Sequence, residues 1–283
     1  MARPTFLSRD FLTGGGALGF ALVLGVAALV VLAPVIAPRD PLAIVGRPLT
    51  WPFQDSRLPL GTDMLGRDLW AGLVHGARVS LLTAGVATAA AVTFGTAIGA
   101  VAGWYRGRLG AVLMRLTDAV QTVPGFVLAL TLVAVLGPGQ SSTLAAIAAV
   151  SWTGVARVVR AEVLSLSARG FVLASRALGM GDGALLVRRV LPPVLAPVAV
   201  LATAVAASAI LIESALAFLG LGDPNRPSWG AMIGAGRAVL RSAWYVSALP
   251  GAAIAVTVLG IGLLGEGLAR ALDPRRRAAR PKA

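Results

Sequence analysis

Long stretches without a single charged residue dominate this chain. They cover residues 11–38, 79–105, 119–156, 190–212 and 242–265. A membrane-spanning helix needs about 20 apolar residues, so four of these stretches predict one span each. The stretch 119–156 is nearly twice the length of one span, and the turn-forming residues Gly137, Pro138 and Gly139 interrupt it. It therefore predicts two helices, and the pattern as a whole predicts six transmembrane helices.

The composition places these helices in a bilayer. Hydrophobic residues make up 57% of the 283 residues, charged residues only 13%, and the mean hydropathy is +0.83. A soluble domain carries roughly twice that share of charge. The chain is therefore predicted to be an all-α polytopic membrane protein. The first apolar stretch is too long for the core of a signal peptide and is predicted to stay as an anchor.

The distribution of basic residues predicts the orientation. The net charge is +13, which by itself would suit a nucleic-acid partner. The arginines instead cluster on alternate connections: with the N-terminus inside, 17 basic residues face the cytoplasm and 8 face outward. The positive-inside rule therefore places both termini and the connection 171–192 in the cytoplasm, and no nucleic-acid partner is expected.

These patterns divide the chain into five parts. Residues 1–14 are predicted to form a cytoplasmic tail, 15–37 the first transmembrane helix, and 38–78 an external segment. Residues 79–270 are predicted to form a core of five further transmembrane helices with a cytoplasmic loop at 161–192, and 271–283 a basic cytoplasmic tail. In the external segment, Thr62 or Asp63 is the predicted N-cap of a helix. Gly95, Gly99 and Gly103 share one face of the second span, which indicates close helix packing or, alternatively, a sliding surface.

The connection 171–192 has more local structure than a simple linker. Residues 171–178 predict a short helix, and Gly179 suits a left-handed turn at its end. Asp182 is the predicted N-cap of a second short helix, which Leu191 and Pro192 are expected to end. The sequence therefore predicts a rigid helical hairpin on the cytoplasmic face.

Four groups of residues resemble motifs of ATP-binding-cassette importer permeases. In the connection 171–192, Gly179 and Leu191-Pro192 keep the spacing of the coupling loop, and Leu173-Ala174-Ser175 aligns with its Glu-Ala-Ala, with Leu173 and Ser175 in place of that family's glutamate and second alanine. The sequence Gly61-Thr-Asp-Met-Leu-Gly-Arg-Asp68 resembles a signature of the dipeptide, oligopeptide and nickel branch. So do Phe218-Leu-Gly-Leu-Gly222 with the pair Trp229-Gly230, and so does Leu272-Asp-Pro-Arg275. The resemblance is to the smaller of the two permease types in that branch.

The resemblance implies a type I importer permease fold with a cytoplasmic coupling helix, in a bacterial inner membrane. It implies membrane lipid around the chain and three kinds of protein partner: a second, homologous permease, one or two ATPase subunits, and an extracytoplasmic solute-binding protein that does most of the choosing of solute. The implied cargo is a peptide or related small solute, with nickel or another chelated metal as the alternative. The residues implied to seat in a groove of the ATPase are Ala174, Ser175, Ala177, Leu178, Gly179, Met180 and Asp182.

The residues themselves argue against catalysis by this chain. A phosphate-binding loop needs a lysine that reaches the phosphates, and the only lysine is Lys282. ATP and magnesium are therefore expected on separate subunits, and no cofactor on this chain. The chain has no cysteine, and its single histidine, His75, cannot form a metal site and is expected to be structural.

One carboxylate, Glu213, falls inside a predicted span. A buried carboxylate either lines a pathway or pairs with a neighbouring helix, and both interpretations stay open at this point. An ion-driven secondary transporter is a more remote alternative, and so is a membrane-embedded enzyme. The former usually shows inverted repeats and broken helices, and the latter clustered acid, base or nucleophile.

Overall fold

The computed structural model describes residues 15–272. The predicted tail 1–14, most of the basic tail 271–283, and Asp273 to Arg275 of the last motif lie outside that range. Ten α-helices lie within the described residues: α1 Gly16–Ile36, α2 Leu69–Trp104, α3 Arg108–Gln121, α4 Gly125–Leu136, α5 Gln140–Ser167, α6 Gly170–Ala177, α7 Asp182–Leu185, α8 Leu191–Phe218, α9 Trp229–Gly236 and α10 Tyr245–Leu272. A π-turn, Leu186–Val190, joins α7 to α8, and a 3₁₀ turn, Arg237–Val239, follows α9.

Five helical segments are long and apolar enough to cross a membrane: α1, α2, α5, the continuous segment Asp182–Phe218, and α10. A sixth crossing is obtained when α3 and α4, which meet at an angle of 82°, are counted as one bent span. Within the described residues, which are mainly helical, five of the six predicted spans are long helical segments, and the bent pair of α3 and α4 occupies the stretch of the remaining one.

The sequence predicts one helix in the stretch 119–156 before Gly137, and this prediction is wrong because the structure has two helices there, α3 and α4. The structure ends α3 at Gln121 and begins α4 at Gly125, with Pro124 between them. Proline lacks an N–H, and it disfavours helical geometry at the preceding residue, here Val123. With 12 residues, α4 is only about 18 Å long, which is short of the roughly 30 Å of hydrocarbon that a straight span must cross.

Helix α2 and the segment before it also differ from the prediction. The helix begins ten residues before the predicted span at 79 and runs for 36 residues. Its N-cap is Asp68, whose side chain accepts a hydrogen bond from the Trp70 amide, so the prediction of Thr62 or Asp63 as the cap is wrong. Both side chains instead accept hydrogen bonds within the segment 38–68. Thr62 Oγ accepts from the Thr50 amide, and the Asp63 carboxylate accepts from the Leu65 and Arg67 amides of a tight turn.

Residues 38–68 form a compact lobe built from turns, and it packs on one end of the helices. Arg39 pairs with Asp68 at 3.1 Å. Tyr245, the first residue of α10, donates a hydrogen bond to the Thr50 carbonyl at 2.9 Å. The predicted structural role of His75 agrees with its contact, since its Nε2 lies 2.8 Å from the Ala37 carbonyl oxygen. The Tyr245 bond joins the lobe to α10, the Leu69 amide of α2 donates to the Gly61 carbonyl of the lobe at 3.1 Å, and His75 joins α2 to the end of α1.

Glycines bring α2 and α5 into close contact. A Cβ on Gly95 would lie 2.7 Å from the Val155 Cβ, and one on Gly99 would lie 2.8 Å from the Val159 Cβ. A Cβ on Gly103 would lie 2.9 Å from the Val163 Cβ. Real Cβ atoms do not approach this closely, so the stripe predicted from the sequence is a tight packing surface between two helices.

Candidate functional site

The hairpin at residues 170–190 begins with α6 and turns at Gly179, whose φ is +83°. The Gly179 amide donates to the Arg176 carbonyl at 3.0 Å, and the Met180 amide donates to the Ser175 carbonyl at 3.2 Å. This pair of bonds is the Schellman arrangement that closes a helix through a left-handed residue. The structure thus confirms the tight turn that the sequence predicts at Gly179.

The second half of the hairpin differs from the prediction in two ways. Asp182 is not an N-cap: it is the first residue of α7, and its side chain makes no capping hydrogen bond. It pairs instead with Arg176, whose Nη2 lies 2.9 Å from its Oδ1. Pro192 does not end a helix either: the π-turn Leu186–Val190 runs directly into α8, and Pro192 lies in the first turn of α8.

The helix therefore continues from the hairpin into the membrane. The π-turn Leu186–Val190 connects α7 to α8 without a break, so that Asp182–Phe218 forms one segment of 37 residues. Such π-turns insert an extra residue into a helix and are frequent at functional sites. A displacement of the hairpin is therefore transmitted to α8, because the two are connected by continuous helix.

The hairpin has an inner and an outer face. On the inner face, Val172, Leu185 and Val190 are fully buried against the ends of α2 and α5. On the outer face, Leu178 is 89% exposed. The seven residues assigned to the ATPase groove divide accordingly: five are exposed, and two, Ser175 and Met180, are half-buried. Met180 packs against the inner cluster, and Ser175 Oγ donates to the Phe171 carbonyl.

Sequence reasoning missed three neighbours of this site. Phe171 and Leu173 are exposed apolar side chains on the same short helix as Ala174. Arg176 lies with its Cζ 5.6 Å from the centroid of the Trp104 ring at the end of α2. A signal for the ion pair was present in the sequence, since Arg176 and Asp182 are opposite charges on either side of a predicted glycine turn. The contact with Trp104 could not be read from the sequence, because 72 positions separate the two residues.

Glu213 lies on α8 and is 4% exposed. Ser80 on α2 donates a hydrogen bond to its Oε2 at 2.9 Å, and Ser214 donates at 3.4 Å. The Ser228 side chain, at the start of α9, is also hydrogen-bonded to it. The carboxylate therefore joins three helices, which favours the helix-pairing interpretation over a lining role in a pathway.

The motif around Trp229 completes this junction. The Trp229 indole donates to the Leu73 carbonyl on α2 at 2.9 Å, and its amide donates to Ser80 Oγ. A Cβ on Gly230 would collide with the backbone of Ser214. The Trp-Gly pair thus seats α9 on α2 and α8, at the end of the helices opposite the hairpin.

Comparison with known proteins assigns a family to this architecture. A family model described as binding-protein-dependent transport system inner membrane component matches residues 95–278. A di/tripeptide transport system permease protein, DppC, of Pseudomonas aeruginosa is 41% identical over 280 residues, covering 96% of this chain and 92% of that protein. A dipeptide transport system permease protein, DppC, of Alkalihalophilus pseudofirmus is 39% identical and covers 77% of this chain and 72% of that protein.

A solved structure shows the same fold. A chain of the methionine ABC transporter MetNI, in inward-facing conformations, matches with a TM-score of 0.61 at 18% identity. The match covers 71% of this chain and 96% of that chain. The predicted type I permease fold is thereby confirmed.

Proposed function

The chain belongs to the family of binding-protein-dependent transport system inner membrane components, and from that premise we propose that it forms half of the pathway by which an ATP-driven importer moves peptides inward. It is a multi-pass inner-membrane permease subunit and not an enzyme, and a separate subunit hydrolyses the ATP. The similarity to di/tripeptide and dipeptide permeases over most of the chain carries the proposal of a peptide cargo. The nickel alternative is not favoured.

The coupling hairpin, residues 170–190, is the proposed docking element for the ATPase. Its outer face offers Leu178 as an apolar anchor, with Ala174, Ala177 and Gly179 as small neighbours that let a partner's backbone come close. Phe171 and Leu173 enlarge the exposed apolar surface. Apolar side chains exposed together on a rigid element are typical of an interaction site.

The connections of the hairpin suggest how docking moves the membrane helices. The hairpin is continuous with α8, which is 28 residues or about 42 Å long. At the other end of α8, Glu213 is bonded to α2 and to the start of α9. A movement of the ATPase that displaces the hairpin would therefore tilt α8 as a lever against α2. This proposal places the hairpin in the cytoplasm and the lobe 38–68 outside, as the distribution of arginines predicts.

Three kinds of partner complete the proposed transporter. They are a second, related permease, one or two ATPase subunits, and an extracytoplasmic binding protein. The test is reconstitution of all these components in proteoliposomes with ATP inside. We expect uptake of a labelled dipeptide or tripeptide that depends on the loaded binding protein and on ATP. Uptake of nickel in place of peptide, or peptide uptake driven by an ion gradient without ATP, would contradict the proposal.

A further inference from the structure

One arginine links the two short helices of the coupling hairpin to each other and to the end of α2. The Arg176 guanidinium donates to Asp182 across the turn at 2.9 Å, and its Cζ lies 5.6 Å from the centroid of the Trp104 ring. Asp182 begins α7, and Trp104 is the last residue of α2. A single side chain thus joins α6, α7 and the end of α2.

The tryptophan is a firm anchor for this contact. Trp104 is buried in the cluster that contains Val163, Val172 and Leu185. Its ring therefore has a fixed position relative to α2 and α5. A guanidinium over an indole face is held by the attraction of the cation to the ring quadrupole, and a planar group suits such a face better than an ammonium.

The tip of the hairpin, residues 178–183, is rich in glycine and depends on contacts such as those of Arg176 for a fixed orientation. Gly179, Gly181 and Gly183 all lie in it, and a Cβ on any of them would meet no atom within 4 Å. Glycine leaves the backbone free, and at these three positions side-chain packing does not restrict it. Met180 is half-buried against the inner cluster, and Val172 and Leu185 fix the helices on either side, so the contacts of Arg176 act on the angle of the tip between them.

We propose that Arg176 is a positioning residue, which sets the angle of the coupling hairpin relative to α2 so that events on the ATPase are transmitted to the membrane helices. The inference rests on the proposed function, because it assumes that the hairpin docks on an ATPase. In this inference, the side chains of Arg176 and Asp182 bind each other within this chain and do not bind the ATPase. Without the bridge, the ATPase remains bound, while its hydrolysis no longer responds to the binding protein.

The experiment uses the complete transporter in lipid nanodiscs, with both permeases, the ATPase subunits and the peptide-loaded binding protein. Arg176→Ala removes both contacts, and Arg176→Lys keeps the charge but loses the planar group. The matched control is Arg188→Ala, since Arg188 is an exposed arginine of the same hairpin with no ion pair in the part of the chain that the structure describes.

We expect all three variants to retain the ATPase subunits. Stimulation of ATP hydrolysis by the loaded binding protein should fall by about fivefold in Arg176→Ala, as expected when an exposed ion pair and a cation–π contact are lost together. It should fall less in Arg176→Lys and stay unchanged in Arg188→Ala. Peptide uptake should follow the stimulated rate.

A second measurement reports orientation directly. The chain has no cysteine, so spin labels can be attached through Leu178→Cys on the hairpin and Leu109→Cys on α3, in a complex with a cysteine-free second permease and no ATPase. We expect the distribution of distances between the labels to broaden in Arg176→Ala and to stay narrow in Arg188→Ala.

The outcomes separate this inference from the proposed function. Loss of the ATPase from the Arg176→Ala complex would make Arg176 a docking contact and overturn the positioning role. Unchanged stimulation in Arg176→Ala, or an unchanged distribution of label distances, would also overturn the positioning role. In each case the docking function stands if Gly179→Val abolishes stimulation in the same assay. Unchanged stimulation in both variants overturns the docking role of the hairpin as well.

Discussion

Ser80 and Glu213 are hydrogen-bonded across 2.9 Å, although 133 positions separate them in the chain. Ser80 lies on α2 and Glu213 on α8, so the bond holds together the two helices that also meet at the hairpin end. Ser80 Oγ in turn accepts from the Trp229 amide at the start of α9. Burial of the Glu213 carboxyl group is costly by itself. Hydrogen bonds from serine hydroxyls on three helices offset this cost.

The first prediction concerns the stability of this junction. Glu213→Ala leaves the hydroxyls of Ser80, Ser214 and Ser228 without their acceptor, and we expect the free energy of unfolding to fall by about 1–3 kcal/mol. Glu213→Gln keeps an acceptor oxygen and should cost less. The measurement is the thermal unfolding of the purified permease pair in detergent. Glu266→Ala on α10 is the control, because Glu266 is 61% exposed and its pair with Arg270 should contribute little. Equal losses in Glu213→Ala and Glu266→Ala would show that burial of the carboxylate is unimportant.

The second prediction concerns the turn of the hairpin. Gly179 has a φ of +83°, which costs a β-branched residue about 1 kcal/mol or more. We expect Gly179→Val to insert at normal abundance and to lose peptide uptake. Gly179→Asn, which adds similar bulk on the face toward the ATPase, should retain more of the uptake than Gly179→Val, since asparagine tolerates left-handed geometry. A Cβ at position 179 would meet no atom within 4 Å in the part of the chain that the structure describes, so a greater loss in the valine variant than in the asparagine variant reports backbone strain. Equal uptake by the two variants would exclude strain as the cause.

The third prediction concerns the close packing of α2 against α5. Gly99→Ala places a Cβ against the Val159 Cβ and the Ala156 backbone, and we expect overpacking to cost about 1–3 kcal/mol. Gly85 on α2 and Gly154 on α5 have no atom within 4 Å of a built Cβ. Their alanine variants should be neutral, or stabilising by up to about 1 kcal/mol through helix propensity. Melting temperatures of the three variants, measured side by side, test this difference, and a melting temperature of Gly99→Ala at or above the other two would contradict it.

The fourth prediction concerns orientation. Single cysteines placed by Ser56→Cys in the lobe and Asn225→Cys in the loop before α9 should react with an impermeant thiol reagent added outside intact cells. One placed by Gly183→Cys in the hairpin should react only after the cells are opened. All three positions are exposed, and the parent chain has no cysteine to give background. Labelling of position 183 in intact cells would reverse the proposed topology.

Local patterns in the sequence were enough for the membrane character, the positions of the five long candidate spans and the hairpin turn. Charge-free stretches identify spans because the bilayer imposes one length on all of them. Gly179 could be recognised because a left-handed turn at the end of a helix is a local requirement of the backbone. The glycine stripe on α2 could be recognised for the same reason, since its period follows from helix geometry alone.

Contacts between distant segments were decided only by the tertiary structure. Asp182 reads as a helix cap in the sequence, but Arg176 offers it a charged partner once the turn has formed. Pro192 reads as a stop, but the π-turn before it carries the helix past the proline into α8. Glu213 had two open interpretations, and three serines from different helices favour one of them. The sequence determines what each segment prefers by itself, whereas the partner of a side chain depends on which segments the packed helices bring within a few ångströms.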